Sequence, residues 1–158
     1  MIHAAVQSDP SLPEWLLSCM YGYCNYAKKK AQWDFIKDIG LNISQPWVFM
    51  GDLNIHLLDN TSSVSSSSDS MVHSILQEIG LEDLGFLGKG HTWSSNNTGT
   101  GEKRSRIDMS LVNVEWNSVF NDSKLLHLSQ LGSDHCPIML VTDYSQPKLW
   151  KPFKLFLS

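Results

Sequence analysis

The chain has 158 residues, 42% of them apolar or aromatic and 18% charged, with a formal net charge of −4. Length and composition suit one domain with its own core and argue against a disordered chain, and the acidic balance argues against a basic protein that coats nucleic acid. No apolar run approaches the ~20 residues of a membrane-crossing helix; MIHAAVQSDP lacks the order of a secretory signal; and Cys19, Cys24 and Cys136, an odd and scattered set, suit a reducing compartment better than a disulfide scaffold.

In chain order, IHAAV (2–6) and WLLSCMY (15–21) read as strands joined by the proline-containing turn SDPSLPE. Residues 27–39 read as a helix with Ala31, Phe35, Ile36 and Ile39 as its apolar stripe and Gly40 as its stop. Lys28, Lys29 and Lys30 occupy the first turn, which the helix dipole disfavours. Either the helix begins later or these lysines face something anionic. PWVFM (46–50) reads as a strand buried on both faces, ending at Gly51-Asp52. TSSVSSSSDS (61–70) reads as a flexible loop. Residues 70–80 read as a helix with Met71, Ile75 and Ile79 on one stripe, Val72 and Leu76 beside it, and Asp69 or Ser70 as its cap. HTW (91–93) is a candidate short strand in a loop-rich stretch, RIDMSLV (106–112) a strand and VEWNSVF (114–120) a short helix. KLLHLSQL (124–131) and CPIMLVT (136–142) close the pattern as strands. Strand pairs that meet without an intervening helix rule out strict doubly wound alternation, so the expected fold is α/β with a mixed sheet and helices on one face.

Three strand ends carry polar groups: GDLN (51–54), RSRID (104–108) and SDHCP (133–137). Such ends converge on one rim of an open sheet. Asp52, Asp108 and Asp134 with His135 would then form an acidic cluster with one imidazole, whose self-repulsion calls for a hard divalent cation. Taken singly, each has a plainer reading. Asp52-Leu53-Asn54 suits an Asx turn, Asp108 suits a surface pair with Arg104 or Arg106, and His135 suits a hydrogen-bonded structural histidine. The combination favours chemistry.

The ordered set GDLN, TW, SRID and SDHCPI resembles the endonuclease/exonuclease/phosphatase superfamily, and more narrowly the apurinic-type endonuclease domain of plant non-LTR (LINE-type) retrotransposons. MYGY (20–23), Trp33, PWVFMGDLN, GLEDLGFLGKGHTWSSN (80–96), RIDMSLVNVEWNSVF and the tail KPFKLF (151–156) agree with that subgroup. The resemblance implies a four-layer α/β sandwich that hydrolyses phosphodiesters of DNA with Mg²⁺ or Mn²⁺. In that reading Asp52 activates water, Asn54 holds the water or a phosphate oxygen, and Asp134 assists the metal. His135 stabilises charge on the phosphate, Asp108 orients the imidazole, and Tyr21 sits near the phosphate. Arg106 and Lys28 are the candidate cations for substrate.

The family's domain opens with strands bearing an Asn and a metal-ligand Glu, both before the hairpin at which this chain begins; Glu14 stands in the wrong context to replace that Glu. The expectation is therefore the C-terminal part of the domain over 1–142 with a tail over 143–158, weak Mg²⁺ affinity, and little or no nuclease activity by these 158 residues alone. The apolar faces that should meet the missing half would be exposed, and the six tryptophans, Trp15, Trp33, Trp47, Trp93, Trp116 and Trp150, would make that exposure costly by inviting association. An inactive remnant and a non-catalytic binding module on the same fold are the alternatives. A retrotransposon origin would imply a nuclear location.

Overall fold

The computed structural model describes residues 1–7, 9–57, 67–95 and 101–145, with only the backbone of Ser67. The tail motif KPFKLF, Trp150 and most of the serine-rich stretch lie outside them.

The first hairpin pairs β1 (Ile2–Val6) with β2 (Trp15–Cys19), antiparallel. Helix α1 (Tyr26–Gly40) then returns the chain so that β3 (Trp47–Asp52) lies parallel to β2. Helix α2 (Ser67–Glu78) and the two-residue β4 (Glu82–Asp83) follow. β5 (Trp93–Ser94) and β6 (Arg104–Ser105) form a short ribbon. β7 (Asp108–Val112) enters the main sheet between β3 and β4, antiparallel to both, giving the order β1-β2-β3-β7-β4. Helix α3 (Val114–Val119) and the hairpin of β8 (Lys124–His127) with β9 (Ile138–Val141) complete it. Among the described residues no helix is long and apolar enough to cross a membrane.

Both faces of the sheet are covered, which corrects the expectation of helices on one face. Trp47, Phe49, Met109 and Leu111 point to one side and pack with Trp33 and Ile36 of α1, Val72, Ile75 and Leu76 of α2, and Ile79 just after it. Val48 and Val112 point to the other, where Trp15, Trp116 and Phe120 form a second cluster with Leu140 of β9 against it. Central strands with apolar groups on both faces lose the period-2 alternation, which is why PWVFM reads as a continuous run. Trp15, Trp33, Trp47 and Trp116 are all buried in these clusters, so they form no open tryptophan face.

The stripe of α1 is also corrected. Its buried side is Lys29, Trp33, Ile36 and Gly40, and Phe35 is 56% exposed. Gly40 is not a left-handed stop: it is the last helical residue, and a Cβ there would lie 3.0 Å from Ile79, so glycine permits close approach of α2. The helix does begin at the lysines. Asn25 caps it by accepting from the Lys28 amide, Lys29 Nζ lies 3.6 Å from Asp69 of α2, and Lys30 pairs with Asp34 at 2.6 Å. Asp69 falls inside α2 rather than at its cap.

Candidate functional site

Asp52 ends β3 and Asp108 begins β7, and the antiparallel register sets them directly opposite each other. Like charges in that relation destabilise a strand pair. His135 stands against both. Its Nδ1 lies 2.9 Å from Asp108 Oδ2, and its Nε2 lies 3.9 Å from Asp52 Oδ2. The ligand atoms of Asp52, Asp108 and His135 all fall within 4.8 Å of one another.

Burial, joined by the Asp108 charge, raises the Asp52 carboxyl above the ordinary aspartate value, against the lowering effects of the Asn54 amide and His135. At His135 burial favours the neutral ring. The hydrogen bond and charge of Asp108, with the charges of Asp52 and Asp134, outweigh it and hold the imidazole above the ordinary histidine value.

Each group has a local reason for its place. Thr92 Oγ1 accepts from the amides of Ile107 and Asp108 at 3.2 and 3.0 Å, and its carbonyl accepts from Cys136 N at 2.7 Å. One residue thus ties the start of β7 to the loop that carries His135. Trp93 and His135 form an isolated bridge, and the Ser94 amide donates to the Asp134 carbonyl. The Asp134 carboxylate is turned to the Trp93 indole, whose Nε1 donates to Oδ2 at 3.1 Å, and it lies outside the close ligand group.

The loop after β3 is held as tightly. Asn54 adopts a left-handed φ of 51°, its amide bound to Asp52 Oδ1 at 3.2 Å and its carbonyl to Lys29 Nζ at 2.7 Å. Its side chain donates to the Gly22 carbonyl at 2.8 Å and accepts from Cys24 Sγ at 3.2 Å. Gly22 in turn donates to the Asp52 carbonyl at 2.6 Å, and a Cβ there would lie 2.1 Å from the Leu53 carbonyl oxygen, so only glycine fits.

The candidate cations are placed differently. Arg106 grips Asp83 with two guanidinium nitrogens, at 3.2 and 2.6 Å, and lies over the Phe86 ring. Arg104 pairs with Glu102. Lys28 Nζ sits 5.6 Å from the Tyr23 ring centroid. Tyr21 is 69% exposed, one residue before Gly22. Sequence reasoning missed Gln32; Thr92 and Trp93 stood in the TW motif and Lys29 among the three lysines of a disfavoured helix start, but the part each plays in holding the rim was not read from them.

Two facing carboxylates beside an imidazole form a donor set that fits a hard divalent cation, since such ions take one or two protein carboxylates and complete their shell with water.

No family model matches the sequence, and no curated protein does. Solved structures do. The endonuclease domain of TRAS1, a telomere-specific non-LTR retrotransposon, matches with a TM-score of 0.64 and 16% identity, over 88% of this chain and 61% of that one. An endonuclease/exonuclease/phosphatase protein from Beutenbergia cavernae DSM 12333 matches with a TM-score of 0.55 and 18% identity, over 87% of this chain and 37% of that one. Truncated TDP2 from Caenorhabditis elegans matches with a TM-score of 0.50 and 17% identity, over 87% and 64%. The chain thus spans less than two thirds of the length of each. It has the endonuclease/exonuclease/phosphatase type of fold, with Asp52 and Asp108 at one end of the main sheet and His135 against them.

Proposed function

We propose that the chain is a metal-dependent phosphodiester hydrolase, and that DNA is its substrate. The observation that carries this is the group formed by Asp52, Asp108 and His135, held on a fold shared with a retrotransposon endonuclease domain. Asp52, made more basic than an ordinary aspartate, takes a proton from the water that attacks phosphorus. Asp108 accepts from His135 Nδ1–H, fixes the ring and favours its charged form. The remaining N–H of His135 then donates to a phosphate oxygen as negative charge gathers there. Asn54 uses one side-chain N–H on Gly22 and keeps the other for the water or a phosphate oxygen. Tyr21, Lys28 and Arg106 are the candidate contacts to the strand. Asp52 and Asp108, the carboxylates of the close group, would hold Mg²⁺ or Mn²⁺, whose charge would offset that of the phosphate when bound; Asp134, turned to the Trp93 indole, would assist from outside that group.

A specific observation keeps a second reading in view, a non-catalytic module on the same fold. Two cations around the site are already spent internally, Lys29 on Asp69 and Arg106 on Asp83. Incubating the purified chain with supercoiled plasmid DNA separates the two. The hydrolase reading expects slow nicking that requires Mg²⁺ or Mn²⁺, stops with chelator, and disappears in Asp52→Ala and His135→Ala. DNA binding without nicking, unchanged in both variants, would favour the module.

A further inference from the structure

We propose that the groove between the Tyr21–Tyr23 segment and α1 is a stacking site for an unpaired nucleobase, with Lys28 placed for the adjoining phosphate. The inference rests on the reading that the neighbouring rim handles a nucleic-acid phosphodiester, and it adds a substrate class: a strand that is single or locally unpaired beside the scissile bond.

The groove encloses about 470 Å³, lined by Tyr23, Lys28, Ala31, Gln32 and Phe35 among others. Its aromatic walls have little packing of their own, with Tyr23 45% and Phe35 56% exposed. Phe35 is a large apolar residue that the helix does not turn inward, and it lines this groove. Lys28 differs from the lysines beside it. Lys29 is paired with Asp69 and Lys30 with Asp34, whereas Lys28 lies against the face of Tyr23. Flat aromatic walls with one cation match a base and its phosphate. Bases stack on such rings whatever their identity, and the cation follows the backbone. A base inside a duplex has both faces covered by its neighbours, so the groove selects an unpaired one.

The groove is wired to the catalytic rim. Gln32 accepts from the Tyr23 amide at 3.2 Å and donates to the Tyr21 carbonyl at 3.0 Å, fixing the segment on α1. Gly22, between those tyrosines, carries the bonds to Asn54 and Asp52. One short segment therefore forms a wall of the groove and a support of the rim.

The test is fluorescence anisotropy of the full chain, in chelator, with a labelled oligothymidine single strand and with a duplex of equal length. Single-strand binding should exceed duplex binding. Tyr23→Ala should weaken it roughly tenfold, the usual effect of losing one stacked base, while Tyr23→Phe retains it. Lys28→Gln should flatten the dependence on salt by about 0.7 in log–log slope, one phosphate contact to a single strand. Equal affinity for duplex, no measurable single-strand affinity, an unchanged Tyr23→Ala of native circular dichroism, or equal losses in Tyr23→Ala and Tyr23→Phe would each overturn the proposal. If Tyr23-dependent binding persists while plasmid nicking is absent, the hydrolase reading fails and the groove stands. If nicking is Asp52-dependent while binding ignores Tyr23, the groove fails alone.

Discussion

Replacing Asp108 with Asn removes one charge and keeps the size of the side chain, and its consequence is pH-dependent. In the native chain His135 Nδ1 meets Asp108 Oδ2 at 2.9 Å, and Asp52 faces Asp108 across the strands. A hydrogen bond to a charged group contributes about 1.5–3 kcal/mol and a neutral one about 0.5–1.5, so the charge itself accounts for about 1–1.5 kcal/mol. The His135 side chain is 32% exposed, and solvent screening brings that to about 1 kcal/mol. The folded imidazole has its pKa raised above the ordinary value of 6.5. Its contribution to stability is therefore fully present below the unfolded pKa and is lost as pH rises through the folded one. Asp108→Asn should cost about 1 kcal/mol near pH 5.5 and close to nothing near pH 9, where the imidazole is neutral in both chains. Relief of the charge repulsion on Asp52 works against that cost and favours the variant wherever Asp52 is ionised, because the Asp108 charge helps raise its folded carboxyl. Urea unfolding followed by tryptophan fluorescence at the two pH values gives the difference, and NMR titration of His135, assigned with His135→Gln, should show a lower midpoint in the variant. An equal loss of stability at both pH values, or an unmoved midpoint, would refute the reasoning.

Two substitutions test the supports of the rim. Gly22→Ala places a methyl group 2.1 Å from the Leu53 carbonyl oxygen, so it should cost at least about 3 kcal/mol, the upper range for overpacking, and lower the melting temperature together with any nicking. Lys29→Ala removes the ammonium that lies 3.6 Å from the buried Asp69 carboxylate and bonds the Asn54 carbonyl and should cost about 1.5–3 kcal/mol in urea unfolding, whereas Lys29→Met with Asp69→Leu should recover most of it, because an apolar pair of similar volume replaces a buried ion pair with little loss.

The fold was legible where a segment's own pattern decides its structure. The strands at Ile2–Val6 and Trp15–Cys19, both long helices and α3 were legible as elements, though the inward face of α1 and the caps, Asn25 among them, were not. It was illegible where a partner decides. The two-residue β4 and β6 have no period and exist because β7 and β5 offer them hydrogen bonds. β8 stops at His127 although the apolar pattern continues, and Leu131 is 91% exposed because no strand lies opposite it. Lys29 occupies the inward face of α1 at the expense of Phe35 because its charge finds Asp69 and the Asn54 carbonyl there, which a count of apolar residues cannot register. α3 covers the face opposite α1 and α2 because Val48 and Val112 leave that side equally apolar.

The chemical groups of the site were legible, but their relation was not. Three polar strand ends point to one rim, yet nothing in the spacing says that Asp52 and Asp108 stand directly opposite, since register depends on pairing between segments far apart in sequence. That register explains the rest. Two carboxylates facing across a strand pair cost stability, and almost any neutral residue at either position would relieve it. Thr92 adds two hydrogen bonds that hold the start of β7 in place regardless, and the bridge from Trp93 brings in the one imidazole able to offset the charge. The same opposition makes Asp52 more basic and His135 more readily charged. A feature unfavourable to folding is thus held by its surroundings in the state that the proposed water activation and phosphate stabilisation would both require, the pattern expected where local stability yields to function.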